Sequence, residues 1–243
     1  MAVLSQPASA QQQRVDLELV LAVDASASVD ANEFRLQIGG IADAFRDEEL
    51  ARAVASGPAG QIAVVLMLWA EHNRPKAFSR WALISDAASA NRFADEIEGF
   101  PRRVEGSTGI GRALQAAISA LNNNSFFAER LVIDVSGDGR ETAPREFTVL
   151  LPQARAIARA NGVTVNGLAI LSDEPGLLDY YRSEVISGAG SFAMAVEDFG
   201  GFAAAIREKL LREIDYQPII GSAIAFQASQ TTSRRMRESA TSP

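Results

Sequence analysis

The chain has 243 residues, 47% of them hydrophobic, which is enough to bury the core of one large domain or two small ones. Its 30 acidic and 23 basic residues give a net charge of -7 and a pI near 4.9, with no basic stripe of the kind a nucleic-acid binder carries. With no cysteine, disulfides, thiolate metal sites and cysteine nucleophiles are excluded; with one histidine, His72, so are multi-histidine zinc centres, and a Ser-His-Asp hydrolase has only that residue to use.

The first segment, "MAVLSQPASAQQQ", has no periodicity. Ala8-Ser9-Ala10 fits the small-residue pattern of a signal-peptidase site, and polar Gln11-Gln12-Gln13 follow it. Residues 1–14 are therefore expected to be the remnant of an export signal, placing the protein in a bacterial periplasm or outside the cell. An ordinary frayed terminus is the alternative, since a basic n-region is missing and "AVL" is short for an h-region. No stretch reaches the roughly 18 apolar residues of a membrane span.

From residue 16 strands and helices alternate. "DLELVLAV" (16–23) is short, apolar and bounded by polar residues, as a buried strand is. A helix follows from Ala31, with Phe34, Ile38, Ile41 and Phe45 on one face and a capping-box start in Asp30 and Glu33. "QIAVVLMLWA" (61–70) is the next strand, and "KAFSRWALI" (76–84) is close enough to pair with it as a hairpin. Helices are predicted at 86–100 and 108–121, the second with Ile110, Leu114, Ile118 and Leu121 as its apolar stripe. "RLVIDVS" (130–136) and "VTVNGLAIL" (163–171) are strands. The helix between them begins near Pro152 and ends at Asn161-Gly162. "SFAMAV" (191–196) is the last strand, and the last helix carries Phe199, Phe202, Ile206, Leu210 and Ile214.

This alternation predicts one α/β domain over residues 15–215, a doubly wound, mostly parallel six-stranded sheet with helices on both faces. Residues 216–243 hold a short apolar run, "PIIGSAIAF", and a polar end with the composition of a disordered tail.

In such a sheet ligands bind beyond the carboxyl ends of the strands. Three segments are expected there with oxygen-bearing side chains. Asp24, Ser26 and Ser28 leave the first strand at alternate positions and so project the same way. Thr108 stands at the expected N-cap of its helix. Asp138 follows a middle strand between Gly137 and Gly139, which permit a sharp turn. Three hydroxyls and two carboxylates are hard ligands, suited to Mg²⁺ or Mn²⁺ and poorly matched to zinc or copper. Taken singly, each piece has a blander reading, since Ser28, Asp30 or Thr108 serves equally well as a helix cap.

Together, D-x-S-x-S after the first strand, a threonine opening a helix in "STGIGRAL", and Asp-Gly after a middle strand resemble the von Willebrand factor A (vWA) domain. The likeness spans about residues 15–215. "LELVLAVDASASVD", "VIDVSGDG", "VNGLAIL" and "YYRSEVISGAGSF" are similar to an exported bacterial branch of that family with no defined function. The resemblance implies a metal-ion-dependent adhesion site (MIDAS). In it Ser26, Ser28 and Thr108 contact Mg²⁺ (or Mn²⁺ or Ca²⁺), and Asp24 and Asp138 act directly or through water. A carboxylate from a partner protein completes the octahedron. It also implies an antiparallel edge strand, in keeping with the hairpin at 61–84. "SGDG" departs from the usual "TDG" by placing Gly137 at the threonine position.

Two other motifs fail on context. "GSTGIGRAL" does not follow the first strand, as a dinucleotide-binding turn must, and Glu105 stands where its first glycine belongs. "VSGDG" lacks the G-x-S-x-G of a nucleophile elbow. Asp134, inside an apolar strand, reads as a buried structural carboxylate. Trp69, Glu71 and His72 end a strand and are candidates for the rim of the site. Arg102 and Arg103 are candidates for steering an acidic partner, against a default of solvated loop. The function expected is a metal-dependent protein-binding module, not an enzyme. The alternatives are an assembly factor working with an ATPase or a client enzyme, and a metal-dependent hydrolase, for which no general base has a secure position.

Overall fold

The computed structural model describes residues 12–142 and 150–215. In chain order its elements begin with β1 (Gln13–Arg14), β2 (Glu18–Asp24), α1 (Ala31–Arg46), α2 (Glu48–Ala55), β3 (Ile62–Trp69), β4 (Ala77–Phe78) and β5 (Ala82–Ile84). Next come α3 (Ala87–Glu98), α4 (Ile110–Asn122), β6 (Phe126–Phe127), β7 (Leu131–Gly137) and α5 (Leu151–Ala160). The series closes with β8 (Val163–Ile170), α6 (Leu177–Tyr180), β9 (Ala193–Val196) and α7 (Phe202–Ile214). A π-helical turn, Tyr181–Val185, continues α6, and a 3-10 turn, Phe199–Gly201, leads into α7. Residues 1–11 of the expected leader and the whole expected tail, 216–243, lie outside the described residues.

The main sheet has the order β4-β3-β2-β7-β8-β9, and β2, β3, β7, β8 and β9 are all parallel. From β2 the chain first moves outward to β3. It then crosses back to place β7 on the other side of β2. Strand order reverses at that point, and a crevice opens beyond the carboxyl ends of β2 and β7.

Side-chain alternation at period two sorts the core into two layers. Leu19, Leu21 and Val23 of β2, with Val64, Leu66 and Leu68 of β3, pack against Ile38, Ile41 and Phe45 of α1, Phe93 of α3 and Phe202 of α7. The intervening Val20, Ala22, Val65 and Met67 pack on the opposite face, against Ile110, Leu114 and Ile118 of α4 and Ala154 of α5. Burying each Leu or Ile here contributes about 1.5–3 kcal/mol over leaving it exposed. The expected capping box closes the start of α1: Asp30 accepts from the Glu33 backbone N–H, and the Glu33 carboxylate accepts from Asp30 N–H.

The structure differs from the sequence reading in several details, among them the helices α2 and α6, which the sequence reading does not contain. The antiparallel edge strand is broken into β4 and β5, so the sheet has seven strands in six positions. Phe78 pairs with Met67 and Ala82 with Val64, so residues 79–81 face only 65–66, which is a bulge. Ser79 fills it, its N–H donating to Leu66 O at 2.9 Å and its Oγ accepting from Leu66 N at 3.0 Å. Gln13 and Arg14, assigned to the leader from sequence, instead pair in parallel with Phe126 and Phe127.

Candidate metal centre

Asp24 is the last residue of β2 and is fully buried. Its Oδ1 accepts from Ser26 N–H at 2.8 Å, which turns the chain sharply off the strand. Ser26 Oγ lies 3.1 Å from Ser28 Oγ, and Ser28 Oγ donates to Asp138 Oδ1 at 2.8 Å. The crevice thus joins four of the five residues singled out from sequence in one chain of polar contacts. Ser28 makes no helix cap; that role belongs to Asp30 alone.

Arg102 holds this loop in shape. Its guanidinium donates to the carbonyls of Val29 at 2.7 Å, Ser26 at 2.9 Å, Ala25 at 3.1 Å and Asp30 at 3.2 Å, and stacks over Phe34. It is therefore a clamp and neither a steering charge nor solvated loop. Arg103 is exposed and shares a cleft with Arg74, Arg102, Glu71 and Glu105.

Thr108 is buried, and its hydroxyl lies against the turn after Asp138: a Cβ added at Gly139 would sit 3.6 Å from Thr108 Oγ1. Paired contacts tie the two loops, with Thr108 N–H donating to Thr142 Oγ1 and Thr142 N–H to Thr108 O, both at 2.9 Å. The expected N-cap role of Thr108 does not hold. Gly109 occupies that position with no side-chain cap, because a side chain there would meet the backbone of Ala70 and His72 at 2.8–2.9 Å. Glu141 serves the helix start instead, its Oε2 accepting from Gly111 N–H at 2.7 Å. No local pattern marks Glu141, since its partner lies in a different segment.

Neither Gly137 nor Gly139 has a positive φ, so the expected sharp turn does not depend on left-handed backbone. Gly137 is required for space: a Cβ there would lie 2.8 Å from Asp24 Oδ2 and 3.0 Å from the Tyr181 hydroxyl. Trp69 is fully buried in the core and does not line the rim. His72 is also buried, and Glu71 packs over Gly106. Asp134 faces away from the crevice, 2.5 Å from Lys209 Nζ.

Asp24 Oδ2 and Asp138 Oδ2 are both buried without a hydrogen-bond partner. Burial, then the neighbouring Asp138, pushes the Asp24 carboxyl up to about 7, against the opposing hydrogen bonds of Ser26. Burial also raises Asp138, with the Ser28 hydrogen bond opposing. Two dehydrated carboxylates and three hydroxyls can ligate a hard divalent cation, which would relieve the strain of ionising both acids. Among the described residues no group of three or more His, Cys, Asp or Glu is arranged to hold a metal.

No curated protein matches this chain. Among solved structures, proximal thread matrix protein 1 from the mussel byssus, with a zinc-occupied MIDAS motif, is 16% identical at a TM-score of 0.53, covering 82% of this chain and 45% of that one. The pilus adhesin SpaC from Lactobacillus rhamnosus GG is 13% identical at a TM-score of 0.58, covering 84% of this chain and 31% of that one. The vWF domain of the type V pili tip protein Mfa5 from Porphyromonas gingivalis is 12% identical at a TM-score of 0.53, covering 85% and 99%. The chain spans less than half the length of the first two and nearly all of the third. These likenesses establish the vWA fold. The family described as "Protein of unknown function (DUF1194)" matches residues 14–218, and the chain belongs to that family.

Proposed function

We propose that Asp24, Ser26, Ser28, Thr108 and Asp138 hold one divalent cation, Mg²⁺ or in its place Mn²⁺ or Ca²⁺, and that the protein uses it to bind a carboxylate of a partner protein. The observation that carries this reading is the pair of buried carboxylates at the crevice, each with one oxygen lacking a partner. Burying a carboxylate in this way is costly unless something of opposite charge meets it. The serine and threonine hydroxyls supply neutral oxygens beside them, the ligand set of a small hard cation that keeps an open position. When bound, the cation supplies a Lewis-acidic point to which an external carboxylate attaches. The chain's own residues orient it. Ser26 N–H and the Arg102 clamp fix the first loop, and the Thr108–Thr142 contacts fix the other two.

A binding module, not an enzyme, fits these surroundings, and two of the fold relatives are described as a pilus adhesin and a pili tip protein. A periplasmic or secreted location accords with the Ala8-Ser9-Ala10 pattern. No helix among the described residues is long and apolar enough to cross a membrane. Affinity capture from periplasmic extract tests the partner: binding is expected with Mg²⁺, lost in EDTA and restored by Mg²⁺ or Mn²⁺. Capture that is equal in EDTA and for Asp24→Ala would contradict a metal-dependent module.

A further inference from the structure

The motif "YYRSEV", part of what resembles the bacterial branch of the fold, has no place in the ligand set. Its second tyrosine, Tyr181, is fully buried, and its hydroxyl has no hydrogen-bond partner. A phenylalanine would fill the same volume without burying a hydroxyl, so packing alone does not account for a tyrosine here. Two glycines in adjacent strands make room for it. A Cβ at Gly167 of β8 would lie 2.6 Å from Tyr181 Cδ1, which no side chain tolerates against a buried ring. A Cβ at Gly137 of β7 would fall 3.0 Å from the Tyr181 hydroxyl and 2.8 Å from Asp24 Oδ2. The hydroxyl and the unpartnered carboxylate oxygen therefore flank the same small space beneath the crevice. Tyr181 also opens the π-helical turn Tyr181–Val185, a local unwinding of the helix that recurs at functional sites. Its neighbour Tyr180 reaches the same side of the sheet, its hydroxyl accepting from Glu141 N–H at 3.2 Å.

We infer that Tyr181 is a positioning residue for the metal site: its hydroxyl, unpartnered like Asp24 Oδ2 across the space at Gly137, closes onto that oxygen when a cation is bound and orients the carboxylate beneath it. Gly137, where the likeness to the fold has a threonine, is the opening through which the two groups meet. Without metal Asp24 has a donor on Oδ1 alone, Ser26 N–H, and the phenol is the group placed to supply one on Oδ2, whose other lone pair stays open to the cation. It rests on the metal-binding reading above, and residues that orient a ligand in this way typically change metal affinity 10–100-fold.

The test is Mg²⁺ titration calorimetry on wild type and Tyr181→Phe, with thermal melts of both without metal. Expected are Mg²⁺ binding to wild type, about tenfold weaker binding to Tyr181→Phe, and a melting temperature for the variant equal to or above that of wild type. A second measurement does not depend on the variant. Mg²⁺ is expected to perturb the near-ultraviolet tyrosine spectrum of wild type, and to leave that of Asp24→Ala unchanged. Wild-type protein that binds neither Mg²⁺ nor Mn²⁺ would overturn the metal reading and this inference with it. Wild-type binding with an equal affinity in Tyr181→Phe, or with no tyrosine perturbation, would overturn the inference alone.

Discussion

Two groups of buried acids, one on the α7 face of the sheet and one at its carboxyl edge, are treated in opposite ways. On the α7 face, Asp134 of β7 and Glu213 of α7 meet one cation, Lys209, at 2.5 and 2.6 Å, and Asn166 donates to Glu213 at 2.8 Å. Lys209 is fully buried and its charge is spent within the core. At the crevice, Asp24 and Asp138 have hydroxyls and backbone N–H groups beside them but no lysine, and the nearby Arg102 is committed to carbonyl oxygens. A buried acid whose cation is built into the chain belongs to the fold. One left facing an edge with an unused lone pair is arranged for a charge that arrives from outside.

The largest effect should come from breaking the first group. Lys209→Met leaves Asp134 and Glu213 facing one another without a cation, a change that costs about 3–5 kcal/mol in comparable buried pairs. Denaturant unfolding should show that loss, while the Mg²⁺ affinity of the protein that remains folded stays at the wild-type value. If both fell together, the two groups would not be separable.

The second group should respond to pH with the opposite sign to an ordinary salt-bridged acid. The fold raises Asp24 from its ordinary 3.8 to about 7, so between those values the native state holds a proton that the unfolded chain has released. Without metal, its contribution to stability is fully present below the ordinary value, falls as pH rises across that window, and is lost once pH has passed about 7. Glu213, also raised to about 7 by burial and by Asp134, adds a slope of the same sign. The difference between wild type and Asp24→Asn isolates the crevice: the variant should be more stable without metal at pH 8, with a flatter melting profile from about pH 4 to 8. Added Mg²⁺ should stabilise wild type more at pH 8 than at pH 5, because the cation requires ionised carboxylates. A profile unchanged by Asp24→Asn would place the titration elsewhere.

Smaller effects should follow from the hydroxyls. Ser26→Ala and Thr108→Ala each remove one neutral ligand and keep both carboxylates. Mg²⁺ binding is expected to weaken by roughly tenfold in each, about 1.4 kcal/mol, with melting temperatures near wild type in metal-free buffer. Binding unaffected by both would remove the hydroxyls from the ligand set.

Much of this architecture was legible because each parallel strand of the main sheet is an apolar run ended by polar or glycine residues, and each long helix repeats its apolar face. The three crevice segments were legible for a related reason: each stands at the end of such an element, where topology alone decides what meets. What escaped depends on partners distant in sequence. Thr108 has the composition of an N-cap, but the crowding of Gly109 against Ala70 and His72 moves the cap by one residue. Arg102 looks like a loop charge until its four carbonyl acceptors are in place. Lys209 stands three residues after Ile206 and seven after Phe202, a spacing that puts it on the buried face of α7, but only the register of β7 against that helix supplies Asp134 and explains a charge there. The broken edge strand has no signature in "KAFSRWALI" because a bulge is a mismatch between two strands.

Metal binding at the crevice turns on Asp24, and titration calorimetry of Mg²⁺ into wild type and Asp24→Ala tests it most directly. The prediction is modest, saturable binding at one site in wild type, none in Asp24→Ala, and a folded variant by circular dichroism, since the side chain sits at the rim of the sheet. Equal binding by the two proteins, or no binding by either, would contradict a metal at this crevice.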